Sequence, residues 1–407
     1  MEVRPGYKKT EVGVIPEDWC VRKIRELCEY QNGTSLERFF NHVDGLKVIS
    51  IGNYSVIGSY IDNGVYISLK HKKNVGKFVL RQNDLTMSLN DKTSAGAIIG
   101  RVLLIEQDDL FVFNQRTMRL RPKHNVSPAY LHHTINADRA HSALVDLAKP
   151  GTQIYINTDD VIDLALPVPP FPEQEAIAEA LSDVDAHIEF LEQLVAKKRH
   201  VKRGVMQELL TARKRLPKFS GNWVMENLSN VGVVTMGQSP PGSSYSTNAL
   251  AMPLLNGAAD LTAEGITVSQ YTNSPTRVSK SGDLLFCIRA TIGNRQVADR
   301  EYCLGRGVAA LTVNAAYDCA FIGYQLDELF GAMSSQSEGG VIKGLRKDDV
   351  GAFKIRLPME KAEQAAIATI LSDMDKEIAA LEVKLTKARQ LKQGMMQELL
   401  TGRIRLV

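Results

Sequence analysis

"EQEAIAEALSDVDAHIEFLEQLVAKKRHVKRGVMQELLTARKRL", from Glu173 to Leu216, returns as "EQAAIATILSDMDKEIAALEVKLTKARQLKQGMMQELLTGRIRL" from Glu363 to Leu406, with 25 of 44 positions identical. Two unrelated helices would not agree so closely, and the segment is a duplication. In the second copy Ile367, Leu371, Met374, Ile378, Leu381 and Leu385 step by four and three, and Ile177, Leu181, Val184, Ile188, Leu191 and Val195 do the same in the first. This is the a/d seam of a coiled coil. A run of about 40 residues at ~1.5 Å each spans roughly 60 Å, too long to lie inside one small domain.

Each copy sorts its charge along its length. In Glu173 to Leu216, seven of eight acids precede Gln193 and all eight Lys and Arg follow Ala196. Antiparallel packing sets the acidic half of one helix against the basic half of the other, whereas parallel packing opposes like charges throughout. The macrodipole favours the same skew at the terminal turns but does not reach the middle. The expectation is therefore an antiparallel pair within the chain. Gly204 and Gly394, at matching places inside the helices, cost roughly 1 kcal/mol each against Ala. Their recurrence suggests a close backbone approach or a bend.

The segments before each helix share only a skeleton. "IPEDWCVRKIRELCEYQNGTS" and "FSGNWVMENLSNVGVVTMGQS" superimpose Trp19 on Trp223, Gly33 on Gly237 and Ser35 on Ser239. Apolar strand-like runs broken by Gly follow in both, "NDLTMSLND" with "GAIIGRVLLI" and "GDLLFCIRATIGNRQVAD". Each segment closes on Asp-Asp-Val (Asp159 to Val161; Asp348 to Val350) and Leu-Pro before its helix. The fold class expected is α+β: two mixed domains, residues 1–170 and 217–358, alternating with two antiparallel coiled-coil helices, 171–216 and 359–407. The chain behaves as a ring cut open, because the continuation that follows the first helix is found, for the second, at the N-terminus in "YKKTEVGVIPEDW". Such a circularly permuted repeat implies pseudo-twofold symmetry and adjacent termini.

Composition sets limits without naming a function. A chain of 407 residues, 44% hydrophobic and 23% charged, is that of a globular protein of two or three domains. No apolar run approaches a membrane span and the N-terminus lacks a signal-peptide core, so a cytoplasmic protein is expected. Five cysteines without a C-x-x-C pair argue against a disulfide framework or a paired-thiolate zinc site. The net charge of +3 does not by itself mark a polyanion binder. Phosphate-cradling, dinucleotide and H-E-x-x-H motifs are absent. "SPPG" at Ser239 to Gly242 lacks both the amide and the aromatic of an adenine-methyltransferase motif. The histidines of the His132, His133 and His141 cluster suit a surface or helix-packing role, since all eight histidines precede Val201 and a function shared by both domains cannot use them as its catalyst. Asp159 and Asp160 suit a helix start better than a catalytic carboxylate pair.

Together, the twin "QELLT-x-R" helix ends (Gln207 to Arg213; Gln397 to Arg403), the twin "EQ-x-AIA-x-x-LSD-x-D" starts, "GVIPEDW", and "GDLLFCIRATIGN" with "LGRG" resemble the specificity subunit of type I restriction-modification enzymes over nearly the whole chain. That resemblance implies target recognition domains that each read one half of a bipartite double-stranded DNA sequence, and helices that set the spacer. It implies a non-catalytic chain without its own cofactor. Two modification (methyltransferase) subunits would use S-adenosylmethionine, and restriction/translocase subunits would use ATP and Mg.

Arg and Lys pair bidentately with guanine, and Asn and Gln with adenine. Gly-rich turns bearing these residues are the candidate DNA contacts. In the first domain they are Asn90, Lys92, Thr93, Arg101, Gln115 and Arg116; in the second, Arg289, Thr291, Asn294, Arg295, Arg306, Lys343 and Arg346. A solvated charge or a phosphate contact, which positions without specifying, is the alternative at each. The basic helix halves (Lys197, Lys198, Arg199, Lys202, Arg203) suit a solvated or partner-facing surface. Two rivals stay open: a stand-alone two-domain DNA-binding regulator, which would bind DNA tightly alone, and a nuclease with an unrecognised site, which would cleave DNA with a divalent metal.

Overall fold

The computed structural model describes residues 4–93, 95–149, 153–262, 265–289, 292–335 and 344–406. Two compact units divide the chain, Met1–Glu192 with Val383–Val407, and Gln193–Glu382. The division cuts both long helices, so each unit holds one domain, the first half of one helix and the last half of the other. The helix halves pack into the core of the unit that holds them. Ile177, Leu181, Leu399 and Leu400 pack around Trp19 in the first unit, and Ile367, Leu371 and Leu209 join the core of the second.

In the first unit, strands β1 (Cys20–Lys23), β2 (Cys28–Asn32), β3 (Leu85–Ser88), β4 (Val102–Leu104), β5 (Thr117–Pro122) and β6 (Ala165–Val168) accompany helices α1 (Pro128–Asn136) and α2 (Thr158–Ile162) and the long helix α3 (Phe171–Leu209). The main sheet is antiparallel in the order β4-β3-β5-β2, while β1 pairs with β6. A second, smaller four-stranded sheet is built from Phe40–Asn41, Leu46–Ile49, Tyr66–Ile67 and Phe111–Phe113.

The second unit repeats this plan. Strands β7 (Trp223–Asn227), β8 (Gly232–Met236), β9 (Leu284–Cys287), β10 (Gly293–Val297), β11 (Val308–Val313) and β12 (Lys354–Pro358) come with α4 (Cys319–Ser335), α5 (Lys347–Gly351) and α6 (Lys361–Leu399). The sheet order is β8-β11-β9-β10, and β7 pairs with β12. Alternation of side chains along β9 divides its burial between two cores. Leu284 and Phe286 face the cluster around α4, whereas Leu285 and Cys287 face Leu255, Leu261 and Tyr302 of the smaller lobe. That two-sided burial is why "LLFC" reads as a continuous apolar run.

Inside each unit the helix halves run in opposite directions, as their charges require. Lys392 meets Asp185 and Arg389 meets Glu192 in the first unit, both at 2.6 Å. Lys202 with Asp375 and Arg199 with Glu382 repeat the pairs in the second, beside Lys198 with Glu377. The seam positions Ile188, Leu191, Val195, Ile378 and Leu385 are buried. Among the described residues no atom lies within 4 Å of a Cβ at Gly204 or Gly394, so no described backbone crowds these glycines and the expected close approach is not found there.

The repeated Glu-Gln at each helix start fastens helix to domain. Glu173 accepts from Trp19 Nε1 at 2.9 Å and from Arg405 Nε and Nη2 at 2.6 and 2.8 Å. Glu363 accepts likewise from Trp223 Nε1 at 3.4 Å and from Arg215 at 2.8 and 2.9 Å. Gln174 and Gln364 accept from the backbone N–H of Ser127 and Asp318 at the starts of α1 and α4, and donate to the Pro169 and Pro358 carbonyls. The ring closes as its sequence requires, since Arg405 also grips Asp18 and the Tyr7 hydroxyl donates to the Gly402 carbonyl.

The expected packing and capping roles hold. Burial drives the His133 imidazole down to about 3, helped by neighbouring His132 and Lys392. Asp185 lies 3.9 Å from its Nδ1, but Lys392 claims that carboxylate. Asn157 and Arg346 are the N-caps, and their side-chain amide and backbone N–H, respectively, donate to Asp160 and Asp349.

Candidate nucleic-acid interface

Three chain segments converge at the same edge of both domains. In the first, the residue after β3 is held between the turn that enters β5 and the strand that leads to α2: Leu89 N–H donates to Arg116 O, and Ile156 N–H to Leu89 O, both at 2.9 Å. In the second, Ile288 N–H donates to Gly307 O and Leu345 N–H to Ile288 O, at the same 2.9 Å. A fourth segment enters through a glycine. A Cβ on Gly33 would lie 1.9 Å from Asn114 O, and one on Gly237 2.1 Å from Gly305 O. Only glycine lets Ser35 and Ser239 reach these turns.

On the first domain this edge carries Asn90, Gln115 and Arg116. Asn90 sits on the short strand Asn90–Asp91, paired with Ile154–Tyr155 and directly opposite Tyr155. Gln115 and Arg116 are exposed, and Arg116 has φ +63. Gln115 Nε2 donates to Glu37 at 2.8 Å and Arg116 Nη1 to Gln153 at 2.7 Å. Lys92 and Thr93 follow on the exposed loop, where the Thr93 hydroxyl and backbone N–H are turned back onto Asp91.

Glu37 was not in the expected set. Burial opposes its charge, but hydrogen bonds from Ser35, Asn114 and Gln115 outweigh that and hold the carboxyl at about 2. An ionised acceptor at this edge matches the cytosine amino group, as the amides match adenine. Its position depends on contacts with residues 77 and 78 places away, which no local pattern signals.

On the second domain the edge is cationic. Arg289, Arg306 and Arg346 are all exposed. Arg306 Nε lies 3.3 Å from Ser239 Oγ, and Arg289 Cγ lies 2.8 Å from where a Cβ on Gly344 would be, so that glycine leaves room for its stem. Asn294 is exposed with φ +47. Thr291 and Lys343 lie outside the described residues.

Two of the expected contacts have partners inside the chain. Arg295 makes a two-pronged pair with Asp327 of α4 at 2.8 and 2.7 Å, and its side chain keeps only 15% of its exposure. Burial disfavours its charge, but the Asp327 pairing outweighs that and raises its pKa. A fork occupied by a carboxylate has none of that edge left for guanine. Arg101 donates from Nη1 to the carbonyl of Asn136, the residue of α1 matching Asp327, at 2.6 Å. Burial lowers its pKa. Arg295 ties β10 to α4, and Arg101 ties the residue before β4 to the end of α1.

Among the described residues no three His, Cys, Asp or Glu come together as a metal-ligand set, and no helix is long and apolar enough to cross a membrane.

The family model for the type I restriction modification DNA specificity domain matches residues 16–197 and 221–389. The chain is 29% identical over 418 residues to a putative type I restriction enzyme MjaX specificity subunit of Methanocaldococcus jannaschii, covering 98% of this chain and 97% of that one. The MjaVIII specificity subunit of the same organism is 27% identical over 217 residues, 53% of this chain and 51% of that one. Among solved structures, the S subunit of a type I restriction-modification system from M. genitalium superimposes with a TM-score of 0.66 at 15% identity, covering 98% of each chain. A chain from a type I R-M system studied for complex assembly and conformational transition gives 0.58 at 20% identity, covering 96% of this chain and 99% of that one.

Proposed function

We propose a detailed role from one plain premise: the chain belongs to the type I restriction modification DNA specificity domain family. It is the DNA-specificity subunit of a type I restriction-modification system. In our reading the two convergent edges are the base-reading surfaces, each taking one half of a bipartite target, and the chain is non-catalytic. The observation that carries this is the pairing of one backbone frame with unlike side chains: Asn90, Gln115 and Glu37 on the first edge against Arg289, Arg306 and Arg346 on the second. Amides and a carboxylate select adenine and cytosine, whereas arginines select guanine or grip phosphate. The two half-sites therefore differ and the target is not a palindrome.

Two modification subunits dock on the helix pair, with restriction/translocase subunits beyond them, in the cytoplasm. S-adenosylmethionine, ATP and Mg serve those partners. Support comes from a duplicated exposed patch on the helices: Val201 beside Gly204, and Leu391 beside Gly394, apolar side chains 44% and 58% exposed next to glycines with open space above them. The test is exchange of residues 217–357 for the same region of a related protein, followed by mapping methylated sites across a genome. One half of the methylated sequence should change and the other persist. A change in both halves, or in neither, refutes the reading.

A further inference from the structure

A second basic feature lies on the face of the first domain's main sheet that turns toward the smaller lobe, where the Tyr54 hydroxyl donates to Thr86 of β3, apart from the edge described above. Here a cleft of about 490 Å³ opens between β2, β5 and the turn Gly76–Phe78. Its walls include Lys72, Lys77, Arg81, Arg119 and Arg121, with Gln31 donating to the Lys77 carbonyl at 3.2 Å. Two of the cations are spoken for. Arg121 holds Asp84 through Nε and Nη2 at 2.7 and 2.8 Å, and Lys72 holds Asp109 at 2.9 Å.

The other three, Lys77, Arg81 and Arg119, make no ion pair among the described residues. Arg119 is the most telling, because its Nε is buried and has no hydrogen-bond partner among the described residues. Five cations face three carboxylates, Asp109 with Asp84 and Glu29 behind it, which leaves a net charge of +2. Burial, with like charge from Arg121, depresses the pKa of Arg119. Leaving a buried donor unpaired is costly, and an anion against the same guanidinium would stabilise the charge that burial disfavours.

We propose that this cleft binds a phosphate group, held by the Arg119 guanidinium with Arg81 and Lys77. The phosphodiester backbone of the target DNA is its natural source. This rests on the reading of the adjacent edge as a DNA surface, since β5 runs from the Gln115–Arg116 turn straight into Arg119 and Arg121, which share one face of the strand. Arg119 is three residues from Arg116, about 10 Å at ~3.3 Å per residue, so both lie within a fraction of one DNA turn. Among the described residues, the second domain carries no arginine at the matching strand positions. The strand register places Ala310 and Thr312 where Arg119 and Arg121 stand, and Thr235 in place of Gln31. The anchor is thus one-sided, and it adds affinity to the first half-site without adding sequence information.

The experiment measures binding of the assembled methyltransferase complex to its target duplex at several salt concentrations, for wild type, Arg119→Gln, Arg81→Ala and Lys77→Ala. Arg81 and Lys77 are exposed, so their variants keep the fold if Arg119→Gln does not. Loss of a phosphate contact should lower the slope of log K against log salt by about one unit, and weaken all single-base variants of the target by the same factor. Unchanged slopes in all three variants would overturn the proposal. Inorganic phosphate distinguishes the source. If it raises the melting temperature of wild type but not of Arg119→Gln while the DNA slopes stay unchanged, the site takes free phosphate and the DNA assignment falls. Asn90→Ala runs in parallel, since its selectivity tests the adjacent edge of the first domain independently of the cleft.

Discussion

Arg289, shortly after β9, and Arg295, on β10, stand six residues apart, and the structure gives them opposite roles that a paired substitution separates. Arg295→Ala removes both hydrogen bonds to Asp327 at 2.8 and 2.7 Å. Breaking a fully buried pair costs about 3–5 kcal/mol. Asp327 keeps 35% of its side-chain exposure, so water can replace part of the loss. The cost should fall to about 2–3 kcal/mol, a drop of roughly 4–12 °C in the melting transition of a unit this size. Once folded, the variant should bind DNA with unaltered base selectivity. Arg289 is exposed and unpaired by any carboxylate in the ion pairs described, so Arg289→Ala should change stability by less than about 0.5 kcal/mol. If it reads guanine, its loss costs about 1–3 kcal/mol of binding, roughly 5- to 150-fold, at one position of one half-site. Urea unfolding of the chain and binding of the assembled complex to single-base target variants together resolve the two effects. Broadened selectivity with undiminished stability in Arg295→Ala would refute the assignment.

The closure of the ring can be tested in the same way: Arg405→Ala strands the Glu173 carboxylate, whose side chain is 1% exposed, and should cost about 3–5 kcal/mol in urea unfolding, so a loss below about 1 kcal/mol would contradict it. His133, held near 3, stays neutral in the folded protein while its unfolded counterpart takes a proton below about 6.5. Its contribution is complete above that value and declines as pH falls towards 3, with a slope of at most about 1.4 kcal/mol per unit; His133→Gln should flatten the stability profile there, and an identical profile would sink the argument. Inserting one heptad after Val195 and one after Leu385 preserves the seam and adds about 10 Å at ~1.5 Å per residue. The methylated half-sites should then separate by roughly three base pairs at ~3.4 Å each, and an unchanged spacer in an active variant would show that helix length does not set it.

The duplication, the seam and the direction of helix pairing were legible in the chain because they are periodic. Side chains that recur every three or four residues define a face, and charges sorted along a helix choose their partner's direction before any contact exists. The match of Trp19 to Trp223 and of one Glu-Gln to the other located the frame, although only the structure showed Glu173 receiving Trp19 and Arg405 from opposite ends of the chain. The candidate DNA contacts were less legible, because an arginine in a glycine-rich turn has the same letter whether its fork faces solvent or a carboxylate. What sends Arg295 inward is Asp327, on a helix 32 residues away, and what brings Glu37 to the first edge is the backbone contact at Gly33 together with Asn114 and Gln115. Local spacing encodes elements and their faces. Which donor meets which acceptor is decided only when distant strands and helices close on one another and each buried polar group must find a partner.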